Sequence, residues 1–196
     1  VSSAASDVYK RQGQVMSKLT IGPGRLSFPA IFEPNSADMG GKYALTILLP
    51  PDYDCKPLFA ALEAAATEKW GADKAKWPKN MNGPKSVIRD AGEKSHLAGY
   101  EPGWKFIALK SKAQPGIVGP LREQITDPKE AYAGRWVRVT ARAFAYDNVL
   151  KGVGFGLQNV QLLKHDSAFS GAGRAQDDFD DFAEELGAGK SSDWDD

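Results

Sequence analysis

The segment 136–146 has the most distinctive chemistry in the chain, because its two faces differ completely when it is read as an extended strand. The odd-numbered positions hold only valine and alanine. The even-numbered positions hold three aromatic rings, two guanidinium groups and a threonine: Trp136, Arg138, Thr140, Arg142, Phe144 and Tyr146. Neighbours on one face of a strand lie about 7 Å apart, so bases could stack on the rings while the arginines meet phosphates. The pattern predicts a nucleic-acid-binding face; the alternative is that a helix or a second protomer covers these rings.

The segment 104–112 repeats this pattern. Ile107 and Leu109 point one way, and the opposite face carries two rings and two lysines. Lys42 adds a positive charge on the polar face of its own strand. The loop cations Lys74, Lys76, Lys79, Lys85 and Arg89 could follow a phosphate backbone or be ordinary solvated charges. The residues predicted to bind DNA are Trp136, Arg138, Arg142, Phe144, Tyr146, Trp104, Phe106, Lys110, Lys112 and Lys42.

Three glycines, Gly152, Gly154 and Gly156, alternate within a further predicted strand. They do not form a phosphate-binding loop, because no helix start follows them and no lysine has the required spacing. Alternating glycines indicate that another backbone or side chain comes close. The pattern favours packing within the protein over contact with a nucleic-acid strand.

The sequence gives little support for catalysis. His96 and His165 are isolated, Cys55 is the single cysteine, and no group has metal-ligand or nucleophile spacing. We therefore predict no enzyme activity, no cofactor and no metal. A lone thiol excludes an internal disulfide, and no apolar run approaches the roughly 20 residues of a membrane helix. These features predict a cytoplasmic protein without a membrane partner.

The elements that must position these residues are mostly strands. We predict strands at 25–32, 42–49, 104–112, 136–146 and 153–163, a helix at 54–70 stopped by Gly71, and a helical turn at 127–133. In the first strand Leu26, Phe28, Ala30 and Phe32 should point inward, with Pro29 marking an edge or a bulge. The segment 74–103 is polar and reads as a long loop. Five strands with one α-helix after the second predict a mainly β fold, an oligonucleotide-binding (OB) Greek-key barrel with long loops.

Charge divides the chain into two unlike parts. The 25 basic and 25 acidic side chains cancel overall, but residues 1–174 carry a net +8 and residues 175–196 a net −8. We predict a leader at 1–15 that is non-native or disordered, a binding domain at 16–166 and a disordered acidic tail at 167–196. The tail residues predicted to bind partners are Asp177, Asp178, Phe179, Asp180, Asp181, Phe182 and Trp194. Such a tail could compete with DNA for the barrel and recruit other proteins, or it could only improve solubility.

Several short motifs together carry a resemblance to a known family. They include Arg-Leu-Ser-Phe-Pro at 25–29, Pro-Gly-Ile-Val at 115–118, Ile-Thr-Asp-Pro at 125–128 and Gly-Leu-Gln-Asn-Val-Gln at 156–161. Over residues 19–182 the chain resembles phage-encoded single-stranded DNA-binding proteins. The resemblance implies an OB barrel that coats single-stranded DNA during replication and recombination, often as a homodimer. It also implies an acidic tail that contacts DNA polymerase and helicase or primase.

The resemblance has one departure, and two alternatives remain open. Related tails commonly end on an aromatic residue, whereas this chain continues past Trp194 to two aspartates. Phe179 and Phe182 could serve as anchors instead. The alternatives are an RNA-binding barrel and a phage structural or assembly protein that binds no nucleic acid.

Overall fold

The structure is a computed structural model that describes residues 18–83 and 85–169. The strands are β1 (Leu19–Ala30), β2 (Tyr43–Leu49), β3 (Arg89–Asp90), β4 (Lys105–Ser111), β5 (Gly116–Val118), β6 (Trp136–Asp147) and β7 (Lys151–Leu162), and the helix is α1 (Lys56–Trp70). Short 3-10 helices lie at Ala37–Met39, Lys74–Lys76, Lys79–Met81, Ala91–Lys94 and Pro128–Glu130. The predicted leader at 1–15 and the acidic part of the predicted tail lie outside the described residues.

Five of the strands close into a barrel in the order β1, β2, β4, β7, β6. Its neighbouring strands pair antiparallel, except where β4 and β7 meet in parallel through Leu109 with Phe155 and Lys110 with Gly156. The short strands β3 and β5 add to β4 and β7 from outside the barrel. A closed five-stranded barrel with a single helix after the second strand confirms the predicted OB architecture.

The interior of the barrel follows the alternation of the strands. Val137, Val139 and Ala141 of β6 are at most 1% exposed, and so are Leu45, Ile47 and Leu49 of β2. Helix α1 packs its buried face, formed by Leu58, Leu62, Ala65 and Ala66, into the same core. Trp70 and Trp77 are partly buried against this core.

Helix α1 begins at Lys56, two residues later than predicted, and ends where predicted. Pro57 occupies its first turn, where a missing backbone N–H costs nothing. Gly71 closes the helix with a positive φ of 81° and donates its N–H to the Thr67 carbonyl, a conformation that a glycine adopts without strain.

The segment 74–103 is more ordered than predicted. It contains β3 and three of the 3-10 helices, and Asn80 joins it to the edge of β7. The Asn80 side chain donates to the Val153 carbonyl at 2.8 Å and accepts from the Val153 N–H at 3.1 Å. An asparagine amide therefore supplies the bonds that a neighbouring strand would make, because it carries both a donor and an acceptor.

The inward direction predicted for Phe28 and Ala30 is wrong. Leu26 is buried and Phe32 packs against the core as predicted, but Phe28 is 60% exposed and Ile31 is in the core. The cause is a bulge in β1: Ser27 pairs with Thr46 and Ala30 with Ala44, so β1 carries one extra residue. One inserted residue reverses the faces of the positions that follow it.

Candidate nucleic-acid interface

The even-numbered residues of β6 lie on the outside of the barrel, as their alternation predicts. Arg138, Arg142 and Phe144 are exposed, while Trp136 and Tyr146 are half-buried. The rings of Phe144 and Tyr146 neighbour each other, with centroids 5.9 Å apart. This part of β6 offers rings and cations to solvent on a rigid strand.

The three alternating glycines of β7 lie directly beside this face. Gly152 pairs with Tyr146, Gly154 with Phe144 and Gly156 with Arg142. A Cβ at Gly152 would overlap the Tyr146 ring, and a Cβ at Gly154 would come within 3.2 Å of Phe144 Cζ. These two glycines therefore let the rings rest across β7, which agrees with the packing interpretation. A Cβ at Gly156 would meet no atom closer than 3.7 Å, so this position has room for a methyl group in ordinary contact with its neighbours.

A continuous row of paired residues crosses all five strands of the barrel on its outer side. The pairs are Ala30 with Ala44, Ala44 with Lys110, Lys110 with Gly156, and Gly156 with Arg142. We call these five residues the cross-barrel row. Three of them have no side chain larger than a methyl group, so the row is a shallow strip with two long cations.

The cations along this strip are available for an anionic ligand. Lys110, Lys112, Lys42 and Arg142 are exposed, and none of the ion pairs among residues 18–83 and 85–169 includes them. Tyr43 pairs with Ser111, which brings Lys42 and Lys112 to the same end of β2 and β4. Arg138 is engaged differently, since its Nε donates to Gln161 Oε1 at 2.6 Å.

Phe106 lies on the predicted face but is not an open ring. It is 6% exposed and packs in a small second cluster with Leu48, Ala91 and Tyr100. The Tyr100 ring meets it edge-on at 5.7 Å, and the Tyr100 hydroxyl donates to Ser27 Oγ at 3.1 Å. The segment 91–104 folds back over this end of β2 and β4, so the prediction of Phe106 as an accessible stacking ring is corrected.

Trp136 and Trp104 share this covered end. Their rings lie 6.3 Å apart and both are half-buried. Trp136 Nε1 donates to Asp166 Oδ2 at 2.7 Å, and the Lys164 ammonium lies 4.8 Å from the Trp136 ring. The indole hydrogen bond is the main reason that the pKa of Asp166 lies below its ordinary value. Trp136 is thus held by the chain that follows β7, and Trp104 packs beside it.

That following chain stays attached to the barrel through Phe169, past the predicted domain end at 166. Arg25 donates to the Ser167 carbonyl at 2.7 Å, and its guanidinium lies 4.6 Å from the Phe169 ring. The Phe169 N–H donates to the Ala133 carbonyl at 3.0 Å. The predicted tail residues Asp177, Asp178, Phe179, Asp180, Asp181, Phe182 and Trp194 lie outside the described residues.

The residue that the sequence reading missed is Phe28. Its ring is the most exposed aromatic side chain among the exposed large hydrophobic residues of the described chain. Its φ of 46° is in the left-handed region, which is rare for a bulky residue. The following Pro29 was the available signal, because a proline inside a strand pattern indicates a bulge.

The described residues offer no other obvious chemistry. They bring no three His, Cys, Asp or Glu side chains together in an arrangement that would hold a metal ion. None of the helices formed by residues 18–83 and 85–169 has the length and apolar character needed to cross a bilayer.

A closed OB barrel with exposed rings on its outer side, and with cations that form no ion pair among the described residues, is typical of the oligonucleotide-binding class. Residues 17–188 match the family of the Enterobacter phage Enc34 ssDNA-binding protein, and the chain belongs to that family. Membership of a family of binding proteins confirms the prediction that the chain is not an enzyme.

The chain is also similar to a further phage protein and to two solved structures. Protein p50 of Acyrthosiphon pisum secondary endosymbiont phage 1 is 29% identical over 177 residues, which are 85% of this chain and 94% of that protein. The structure of the bacteriophage Enc34 single-stranded DNA-binding protein in complex with ssDNA has a TM-score of 0.64 at 23% identity, covering 78% of this chain and 89% of that one. The single-stranded DNA-binding protein gp2.5 of bacteriophage T7 has a TM-score of 0.54 at 15% identity, covering 81% and 97%. The two structures agree with the barrel fold.

Proposed function

We propose that this protein coats single-stranded DNA without sequence preference and that the strand lies along the cross-barrel row. The observation that carries the proposal is the row itself, in which Lys110 and Arg142 stand on either side of Gly156 with the Phe144 ring alongside, and neither cation forms an ion pair within residues 18–83 and 85–169. OB barrels bind oligonucleotides on the second and third barrel strands and the adjoining loops. Here those strands are β2 and β4, and the adjoining loops are residues 31–42 and 148–150.

The chemistry of the row suits a ligand of any base sequence. An exposed ring stacks on every base, because every base has a π face, and each stacked base contributes about 1–3 kcal/mol. Lysine and arginine side chains meet phosphates, which are identical along the strand. Among the predicted DNA-binding residues, the exposed group is Arg142, Phe144, Lys110, Lys112 and Lys42, with Arg138 and the half-buried Tyr146 beside it. We place the main contact there, and we assign Trp136 and Trp104 to its covered margin.

A fluorescence titration with oligo-dT at two salt concentrations tests this function. Wild-type protein should bind, and affinity should fall steeply as salt rises, because each neutralised phosphate releases counterions. The variant Lys110→Ala should bind more weakly, while Lys129→Ala, an exposed lysine outside the row, should bind like wild type. Absence of oligo-dT binding by the wild-type protein would reject the function. An RNA oligonucleotide of the same sequence as competitor separates this function from an RNA-binding barrel.

We further propose that the protein acts in phage DNA replication and recombination, in the host cytoplasm and as a homodimer. We assign residues 16–169 to the binding domain, because the chain is attached to the barrel through Phe169, and keep residues 1–15 as a separate leader. The acidic segment that follows would compete with DNA and recruit DNA polymerase, helicase or primase. Phe169 supports such competition, because it is the last described residue and is held on the barrel beside Arg25; the acidic segment is therefore covalently tethered to the barrel, and tethering raises its local concentration.

Removal of residues 176–196 tests the competing tail. DNA affinity should rise at low salt, where the charge of the tail is least screened, and the difference should shrink as salt is added. Unchanged affinity at low salt would leave the tail with no part in DNA binding. Sedimentation of the full chain at several concentrations tests the homodimer.

A further inference from the structure

Phe28 is an outlier both in its backbone conformation and in the exposure of its ring. Two features are unfavourable together: a φ of 46° at a bulky residue, and a ring that is 60% exposed to water. Such outliers concentrate at functional sites, where the surrounding structure holds the strain in place. Among the described non-glycine residues, Arg122 is the other one with positive φ, and it lies in a loop rather than in a strand.

The surrounding structure fixes Phe28 from two sides. The bulge that contains it is set by the pairs Ser27 with Thr46 and Ala30 with Ala44. The Phe28 ring also leans on Tyr100, with centroids 6.4 Å apart at an angle of 51°. Tyr100 is itself held by its hydrogen bond to Ser27 and by its edge contact with Phe106. The three rings form a series whose inner two members are buried and whose outer member faces solvent.

The position of Phe28 relates it to the cross-barrel row. It is two residues from Ala30, which ends the row on β1, whereas Phe144 is two residues from Arg142, which ends the row on β6. Crossing from β6 to β1 through β7, β4 and β2 takes four strand spacings, or about 19 Å. That distance suits one strand of DNA, since an OB barrel covers about 4–16 nucleotides.

We propose that Phe28 is a second base-stacking platform, at the opposite end of the cross-barrel row from Phe144. This inference rests on the proposed function and adds to it a residue that binds a base at the β1 end of the strip. A stacked base would cover the exposed ring. Ala30 and Ala44, which form the β1 end of the row, carry only methyl groups as side chains.

Titration with oligo-dT and with an oligonucleotide of equal length that contains abasic sites tests the platform. Phe28→Ala should weaken oligo-dT binding roughly five- to 150-fold, the effect of losing one stacked base. Phe28→Tyr should bind like wild type, and Phe28→Leu, which keeps apolar volume without a π face, should bind like Phe28→Ala. Phe59→Ala removes an exposed phenylalanine on α1 instead and should leave binding unchanged.

The abasic oligonucleotide distinguishes stacking from any other role of Phe28. Wild type and Phe28→Ala should bind it with the same affinity, because it has no base to stack. If Phe28→Leu melts at the wild-type temperature and binds oligo-dT as tightly as wild type, the platform is refuted while the proposed function stands. If the variants instead lose an oligomer in sedimentation and keep oligo-dT affinity per protomer, Phe28 is an interface residue and the inference is wrong. Failure of the wild-type protein to bind oligo-dT would reject the proposed function itself.

Discussion

Gly156 offers a test in which folding stability and DNA affinity should change independently of each other. It lies in the middle of β7 between Lys110 and Arg142, and an added Cβ would make only ordinary contacts, the nearest at 3.7 Å. A glycine inside a strand costs about 0.5–1 kcal/mol relative to alanine, because the unfolded chain has more freedom to lose. Gly156→Ala should therefore raise the free energy of unfolding by that amount. For a chain of this size, the melting temperature should rise by about 1–4 °C.

A larger side chain at the same position should impair binding without harming the fold. In Gly156→Leu an isobutyl group would stand on the floor of the row, where the DNA strand is proposed to lie. Affinity for oligo-dT should fall about five-fold or more, as for the loss of one stacked base. Gly156→Ala, whose methyl group matches Ala44 in height, should keep most of the affinity.

Denaturant titration and oligo-dT fluorescence on both variants give the two readings. Gly154→Ala serves as the matched control, since its Cβ would lie 3.2 Å from the Phe144 ring and should yield a smaller gain in stability. A lower melting temperature for Gly156→Ala would refute the packing argument. Wild-type DNA affinity in a folded Gly156→Leu would show that the strand does not cross the barrel at this row.

Three further predictions concern charge. Arg142→Ala and Lys110→Ala should each reduce the slope of log affinity against log salt by about 0.7, measured over a salt series, because each removes one phosphate contact. Arg135 is 3% exposed and donates to the Leu163 carbonyl and to Glu130. Its replacement by methionine should lower the free energy of unfolding by about 1–3 kcal/mol in denaturant titration, because part-buried acceptors lose their partners. The pKa of Asp166 is lowered from its ordinary value of 3.8, so ionised Asp166 contributes stability above pH 3.8 that is lost as pH falls through the lower pKa of the folded state. In Asp166→Asn the melting temperature should therefore fall less steeply between about pH 5 and pH 2 than in the wild type.

The parts of the fold that the sequence predicted are those governed by local periodicity. In β6 a strict alternation of valine or alanine with rings and arginines leaves a single way to bury the apolar side, so both faces could be assigned before the structure was known. Helix α1 could be predicted equally well, because its apolar residues have helical spacing and the pattern ends at a glycine. The order of these elements along the chain then favoured one fold, the five-stranded OB barrel.

The parts that escaped prediction depend on contacts between distant segments. The cover over Phe106 comes from residues 91–104, which have no periodicity that would assign them to a face. Trp136 is half-buried because Asp166, thirty residues further along the chain, accepts its indole N–H. Phe28 was misassigned for a local reason, since an alternation rule fails wherever a bulge adds one residue.

The barrel closes where β4 and β7 meet, and this seam between the two strands is short. Strands β4 and β7 meet through two residue pairs, and the Asn80 amide continues the connection at Val153. Such a seam is where local opening should be least costly. A polyanion bound to both Lys110 of β4 and Arg142 of β6 would connect the strands on the two sides of this seam. Bound single-stranded DNA should therefore slow amide hydrogen exchange at Phe155 and Gly156 more than in the β1–β2 pair. The ligand would thus stabilise the closed barrel against local opening.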